Sequence, residues 1–195
     1  MKKDYSKVNI YLILFPLAKK VKEFDANEKY LAVKKLKNEI EIYEIPKNID
    51  KVSLDLQEYG ILVCTIDPSC VIKEFHLNPK YMNILLVVNY EKILFFVIPE
   101  NSQKKVKVSP KFIFTKVDIG FESAIFNPFN SHIIASSCLG KTIQIWSVSM
   151  PFIQKIFSSD LPAKMKWRNC GKLLGFVDKN SLLKIYDIKK KEFIF

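Results

Sequence analysis

Arginine is nearly absent from this chain: of 31 basic residues only Arg168 carries a guanidinium, and the rest are lysines. Geometric recognition of phosphates or bases favours the planar, bidentate arginine fork, so a built nucleic-acid reading site of that kind is disfavoured. Histidine is as scarce. His76 and His132 stand far apart without ligand spacing, which leaves the cysteines no partners for a zinc site. None of the four cysteines, Cys64, Cys70, Cys138 and Cys170, forms a C-x-x-C pair, and reduced thiols in a cytoplasmic protein are expected. Only 5 glycines occur. There is no glycine-rich phosphate loop, no G-x-S-x-G elbow and no H-E-x-x-H. Long apolar runs are missing too. The stretch from Asn9 to Ala18 is interrupted by Pro16 and followed by Lys19 and Lys20, and a membrane-spanning helix needs about 20 apolar residues. No cleavage site of small residues follows it, so a strand is expected there rather than a membrane span or a signal peptide.

What is present is apolar and evenly spread. The 195 residues are 49% hydrophobic, enough for one domain over residues 1–195 with a sizeable core, and too apolar for a disordered chain. The net charge of +11 comes from lysines in small scattered groups such as Lys34-Lys35, Lys104-Lys105 and Lys189 to Lys191. Lysines so placed read as solvated loops and strand edges that discourage edge-to-edge pairing.

Four segments repeat one template: an alternating apolar strand, a polar turn, a second strand, a short turn, then a strand reading apolar-x-apolar-aromatic-x-apolar. The third strands are Ile40 to Ile45, Ile93 to Ile98, Ile143 to Val148 and Leu183 to Ile188. Their aromatic falls at Tyr43, Phe96, Trp146 and Tyr186, at separations of 53, 50 and 40 residues. Second strands are read at Lys29 to Val33, Asn83 to Val88, His132 to Ser136 and Lys172 to Val177. First strands are read at Val21 to Phe24, Val71 to Phe75, Glu122 to Phe126 and Ala163 to Trp167. Asn78-Pro79, Asn127-Pro128 and Asn169 to Gly171 supply turn chemistry. A fourth strand follows some units, as at Phe152 to Phe157 and Phe193 to Phe195; Ser53 to Gly60 reads as a strand or a turn or two of helix. The units span about 20–50, 70–100, 121–158 and 162–195.

A sheet that is apolar on both faces must bury each face against a neighbour, and radial stacking does this. Units of 40 to 53 residues containing several strands predict an all-β propeller of about four blades, with the four aromatics as core packing residues. Closed propellers have about 4–8 blades. Four blades stand at the low end of that range, so the alternatives are a small complete domain or an incomplete, open ring that is a fragment, closes with a partner, or self-associates through open blade faces.

The third unit carries Phe126-Asn-Pro, Ile134-Ala-Ser136 and Thr142-Ile-Gln-Ile-Trp-Ser147, and the fourth ends Ile185-Tyr-Asp187. These resemble the WD-repeat family, whose units read Asn-Pro, Leu-Ala-Ser and Thr-Ile-x-Ile-Trp-Asp. Departures are plain: Gly140 replaces the usual turn aspartate, and Phe96-Val97 stands where tryptophan-aspartate would. With its polar locks thinned, the fold would rest more on apolar packing. Residues 127–136 are similar to a blade of coronins, which bind actin filaments. Phosphoinositide-binding propellers place two arginines where Phe157-Ser-Ser-Asp160 stands, so lipid recognition of that kind is not expected.

Catalytic constellations are missing. Asp67-Pro-Ser-Cys70 sets a thiol near a carboxylate without a base, and Glu39 and Glu41 alternate along a solvated strand face. No catalytic residue, cofactor or metal is expected. The resemblance implies a non-enzymatic scaffold for protein partners, with Tyr43, Phe96, Trp146, Tyr186 and Asp187 as structural repeat positions. A coronin-like actin-binding protein is one alternative; a lysine-mediated binder of nucleic acid or anionic membrane is the other.

Overall fold

The computed structural model describes residues 23–35, 38–45, 61–100, 108–115, 120–139, 142–148, 153–157, 162–178 and 180–194. The expected strand at Asn9 to Ala18, the ambiguous Ser53 to Gly60, the Lys104-Lys105 pair, Gly140, and Ser158 to Asp160 lie outside these residues.

Sixteen strands are described, and they form four antiparallel meanders of four. Blade 1 holds β1 (Glu23–Ala26), β2 (Tyr30–Lys34), β3 (Ile40–Glu44) and β4 (Ile61–Ile66). Blade 2 holds β5 (Glu74–Leu77), β6 (Ile84–Val88), β7 (Lys92–Val97) and β8 (Phe112–Thr115). Blade 3 holds β9 (Phe121–Phe126), β10 (Ile133–Cys138), β11 (Thr142–Ser147) and β12 (Ile153–Phe157). Blade 4 holds β13 (Pro162–Trp167), β14 (Leu173–Asp178), β15 (Leu183–Asp187) and β16 (Glu192–Phe193). The four-stranded units expected from the sequence are present, with fourth strands at the two places the sequence pattern locates, in blades 3 and 4. β4 and β8 complete the other two, each reached from the third strand by a long connection that disguised it.

Side-chain alternation does the stacking. In β6, Leu85 and Val87 face blade 1 while Leu86 and Val88 face blade 3. In β7, Leu94 and Phe96 turn to blade 1, and Ile93 and Phe95 to blade 3. A strand buried on both faces reads as a continuous apolar run, which is why Ile84–Val88 shows no polar alternation. The cores therefore lie between blades rather than inside one. Ile40, Ile42, Val63 and Ile66 meet Phe75, Leu85 and Phe96 in the first interface. Phe121, Phe126 and Ile134 close the second; Ile143, Ile145 and Ile156 meet Trp167, Leu174 and Phe176 in the third. Each fully buried side chain of this size contributes about 1.5–3 kcal/mol.

The first strands touch in succession, β1 to β5, β5 to β9 and β9 to β13, so they form the inner edge of the stack. Among the described residues no packed interface returns from blade 4 to blade 1. The outward face of blade 4 leaves Leu183 and Ile194 exposed. The four blades form an open arc.

Candidate functional site

The turn joining first to second strand is built around a single asparagine in three blades. Asn27 Oδ1 accepts the amides of Lys29 and Tyr30, at 3.0 and 2.8 Å. Asn78 does the same for Lys80 and Tyr81, both at 2.9 Å, and Asn127 for Phe129 and Asn130, at 3.0 and 2.9 Å. Their Nδ2 groups then reach across to the next blade. Asn27 donates to the carbonyls of Asn78 and Met82, Asn78 to that of Ser131, and Asn127 to that of Gly171. Each amide thus orders its own turn and clasps the neighbouring one. In blade 4 the equivalent position is Arg168, which follows Trp167 as each asparagine follows its own first strand.

The third clasp depends on Gly171, which has φ of +68°. A Cβ there would stand 2.3 Å from Asn127 Oδ1 and 2.7 Å from Phe129 Cβ. Gly171→Ala is expected to destabilise the chain by about 1–3 kcal/mol, through left-handed strain and overpacking. Gly175→Ala, whose Cβ would meet nothing nearer than 3.7 Å, serves as the neutral control in the same urea titration.

These clasped turns present side chains outward. Tyr81 Oη and His132 Nε2 are 2.5 Å apart, tying the turn of blade 2 to that of blade 3. Lys80 Nζ lies 5.0 Å from the ring centre of Phe129, which is 64% exposed. Turn segments 78–83, 127–132 and 168–172 carry Lys80, Arg168 and Lys172 and no carboxylate. With Glu28 and Lys29 of the blade 1 turn beside them, the clasped turns form a face of aromatic and mainly basic side chains.

The inner edge has a different chemistry. A cleft of about 430 Å³ lies between blades 1, 2 and 3, lined in part by Asp25, Asn27, Glu28, His76 and Pro79. Asp25 accepts the Leu77 amide at 2.6 Å; His76 lies between it and Glu74, 3.8 Å from the former and 3.7 Å from the latter. Burial pushes the Asp25 carboxyl up, against the pull of His76 and the Leu77 amide. Burial also opposes ionisation of Glu74, but the pull of His76 and a hydrogen bond from Ser123 win and hold it below the usual range. The two shifts act oppositely on stability. The raised Asp25 favours the folded chain when protonated, an advantage lost as pH rises through its value. The lowered Glu74 favours it when ionised, an advantage lost as pH falls. The cleft lining offers acids and an imidazole but no serine or cysteine nucleophile.

Several lysines are ties between blades. Lys34 Nζ donates to the Ile72 carbonyl at 2.9 Å and pairs with Glu23. Lys73 pairs with Glu122 at 2.6 Å and sits 3.9 Å over the Tyr90 ring.

The repeat positions named from sequence do not converge on one site; the fold distributes them. Phe96 is buried between blades 1 and 2, and Tyr186 between blades 3 and 4. Trp146 is half-buried in the blade 2–3 interface, where Nε1 donates to Ser136 Oγ at 2.7 Å. Tyr43 is half-buried beside Leu31 and Val33, with its hydroxyl donating to Glu41. Asp187 Oδ1 accepts the amides of Lys189 and Lys190 and so shapes the β15–β16 turn. Asp67 likewise caps its turn through the Ser69 amide, and Cys70 packs against the first core. Sequence reading took Asn78 and Asn127 as turn formers only, passed over Asn27, and placed the fourth turn on Asn169. The signal was available: an asparagine immediately after the first strand in three of four units.

No protein-family model matches the chain, and no curated protein does. A solved structure does match: the WD40 domain of coronin from Toxoplasma gondii, with a TM-score of 0.71 and 21% identity. The match covers 88% of this chain and 44% of that one, so the chain spans less than half of the structure it resembles. The fold is a WD40-type β-propeller. At that identity the likeness establishes the architecture alone. Within the described residues no helix is long and apolar enough to cross a membrane.

Proposed function

We propose that the chain is a non-enzymatic interaction scaffold that holds partner proteins in the cytoplasm. The observation that carries this reading is the turn face. Tyr81, Phe129, His132 and Lys80 are displayed on turns whose backbones are fixed by buried asparagines. Aromatic side chains lose little entropy on docking and are the usual anchors of interfaces. Phe129→Ala, an exposed change that leaves the clasps intact, is expected to weaken partner capture by about tenfold. A partner set bound equally by both proteins, measured by quantitative affinity capture, would remove this face from the function.

A second reading is actin binding, supported by the coronin structure and by the coronin-like stretch 127–136. Co-sedimentation with filaments that survives moderate salt supports it; loss with added salt reduces it to the charge attraction a lysine-rich chain has for any polyanion, nucleic acid and anionic membrane included. Self-association is supported by the exposed Leu183 and Ile194 on the outward face of blade 4. Light scattering is expected to give twice the chain mass of 22.7 kDa if two arcs pair through such faces, whereas a monomer would direct attention to protein partners alone.

A further inference from the structure

A small pocket opens on the turn face between blades 2 and 3. It holds about 50 Å³ and is lined by Phe95, Phe112, Phe126 and Val148, with the Tyr81–His132 pair at its rim. Two buried polar residues belong to this lining, Asn78 and Ser131, and the hydrogen-bonding groups of Asn78 are satisfied. Ser131 is 3% exposed, and its Oγ has no hydrogen-bond partner. Its position is not accidental slack, because the Ser131 carbonyl is held by Asn78 Nδ2 at 3.1 Å. A buried hydroxyl without a partner is unfavourable, so a ligand atom that satisfied it would recover that cost on binding.

Volume limits the occupant. Pockets for small organic ligands run to about 300–1,000 Å³, whereas this one has room for a single short side chain. A threonine fits the lining: its methyl group would meet the phenyl rings and its hydroxyl would meet Ser131 Oγ. Charge limits the rest of the partner. The flanking turns bring Lys80, Arg168 and Lys172, all exposed, against one exposed carboxylate, Glu28 of the blade 1 turn. We infer that the blade 2–3 pocket receives one threonine side chain from an extended acidic segment of a partner protein, whose carboxylates meet the lysines and arginine around the rim. The inference rests on the scaffold reading and assigns it a specific contact.

The test uses the full chain and three fluorescein-labelled acidic hexapeptides that differ only at one central residue: threonine, valine or glycine. Fluorescence anisotropy is expected to rank them threonine, then valine about threefold weaker, then glycine about tenfold weaker or more. Ser131→Ala, a small deletion that keeps the clasped carbonyl, is expected to abolish the preference for threonine over valine. Lys80→Glu, on the surface, is expected to weaken all three peptides together. Equal binding of the threonine and glycine peptides, a threonine preference that persists in Ser131→Ala, or no binding of any peptide would each overturn the assignment. A doubled solution mass that Lys80→Glu returns to monomer would also overturn it, by seating a second copy on this face. A partner protein retained equally by Ser131→Ala and Lys80→Glu overturns the pocket while leaving the scaffold reading standing.

Discussion

Phe96→Ala is expected to lower stability by about 3–5 kcal/mol, the range for removing a fully buried aromatic side chain and leaving a cavity. Phe96 has no exposed surface and packs into the interface of blades 1 and 2 beside Leu85, Val87 and Ile98. Since whole domains are stable by only about 5–15 kcal/mol, this one change removes a large part of the total. Urea denaturation followed by far-ultraviolet circular dichroism measures it. The midpoint should fall sharply while the Phe112→Ala control, at a ring that is 60% exposed, shifts stability by roughly 0.5 kcal/mol or less. A loss below about 1 kcal/mol for Phe96→Ala would mean the stack does not depend on its inter-blade cores.

Asn78→Ala is expected to cost about 2–3 kcal/mol, though it removes few apolar contacts. The side chain is 1% exposed and makes three hydrogen bonds, two within its own turn and one to the Ser131 carbonyl. Each bond is worth about 0.5–1.5 kcal/mol net, and the backbone groups left behind lose their partner without regaining water. Asn27→Ala, at a less buried turn, should cost less in the same titration. Arg168→Ala, at the equivalent exposed position without a clasp, should be close to neutral. Equal effects at Asn78 and Arg168 would show that the turn, rather than the link between blades, is what the asparagine stabilises.

Much of the architecture was legible in the chain itself, for a definite reason. A strand packed between blades sets apolar residues at fixed positions, and four third strands with an aromatic at the fourth position of six leave a pattern at 40- to 53-residue spacing. That pattern identified the third strands and placed the aromatics as packing residues, and the Asn-Pro and Ile-Trp-Ser segments pointed to the WD-repeat type. The outer strands β4 and β8 escaped notice. They follow long connections, and exposed residues such as Ile61, Phe112 and Ile113 at sheet edges weaken the apolar alternation that marks a strand.

The candidate face was less legible. An asparagine after a strand is an ordinary turn former, and Asn27, Asn78 and Asn127 each looked like nothing more. Their role as clasps depends on a carbonyl 44 to 55 residues away. Only packed blades bring such a partner within hydrogen-bond reach. The same holds for the pocket around Ser131, whose walls come from four different strands and two turns. By itself the sequence determined that both faces of each sheet had to be buried, since local side-chain alternation sets that demand. Which side chains meet across the blades, and so which buried hydroxyls are left unpaired and which lysines tie one blade to the next, was decided only by the tertiary stacking, because those contacts join residues that no local pattern relates.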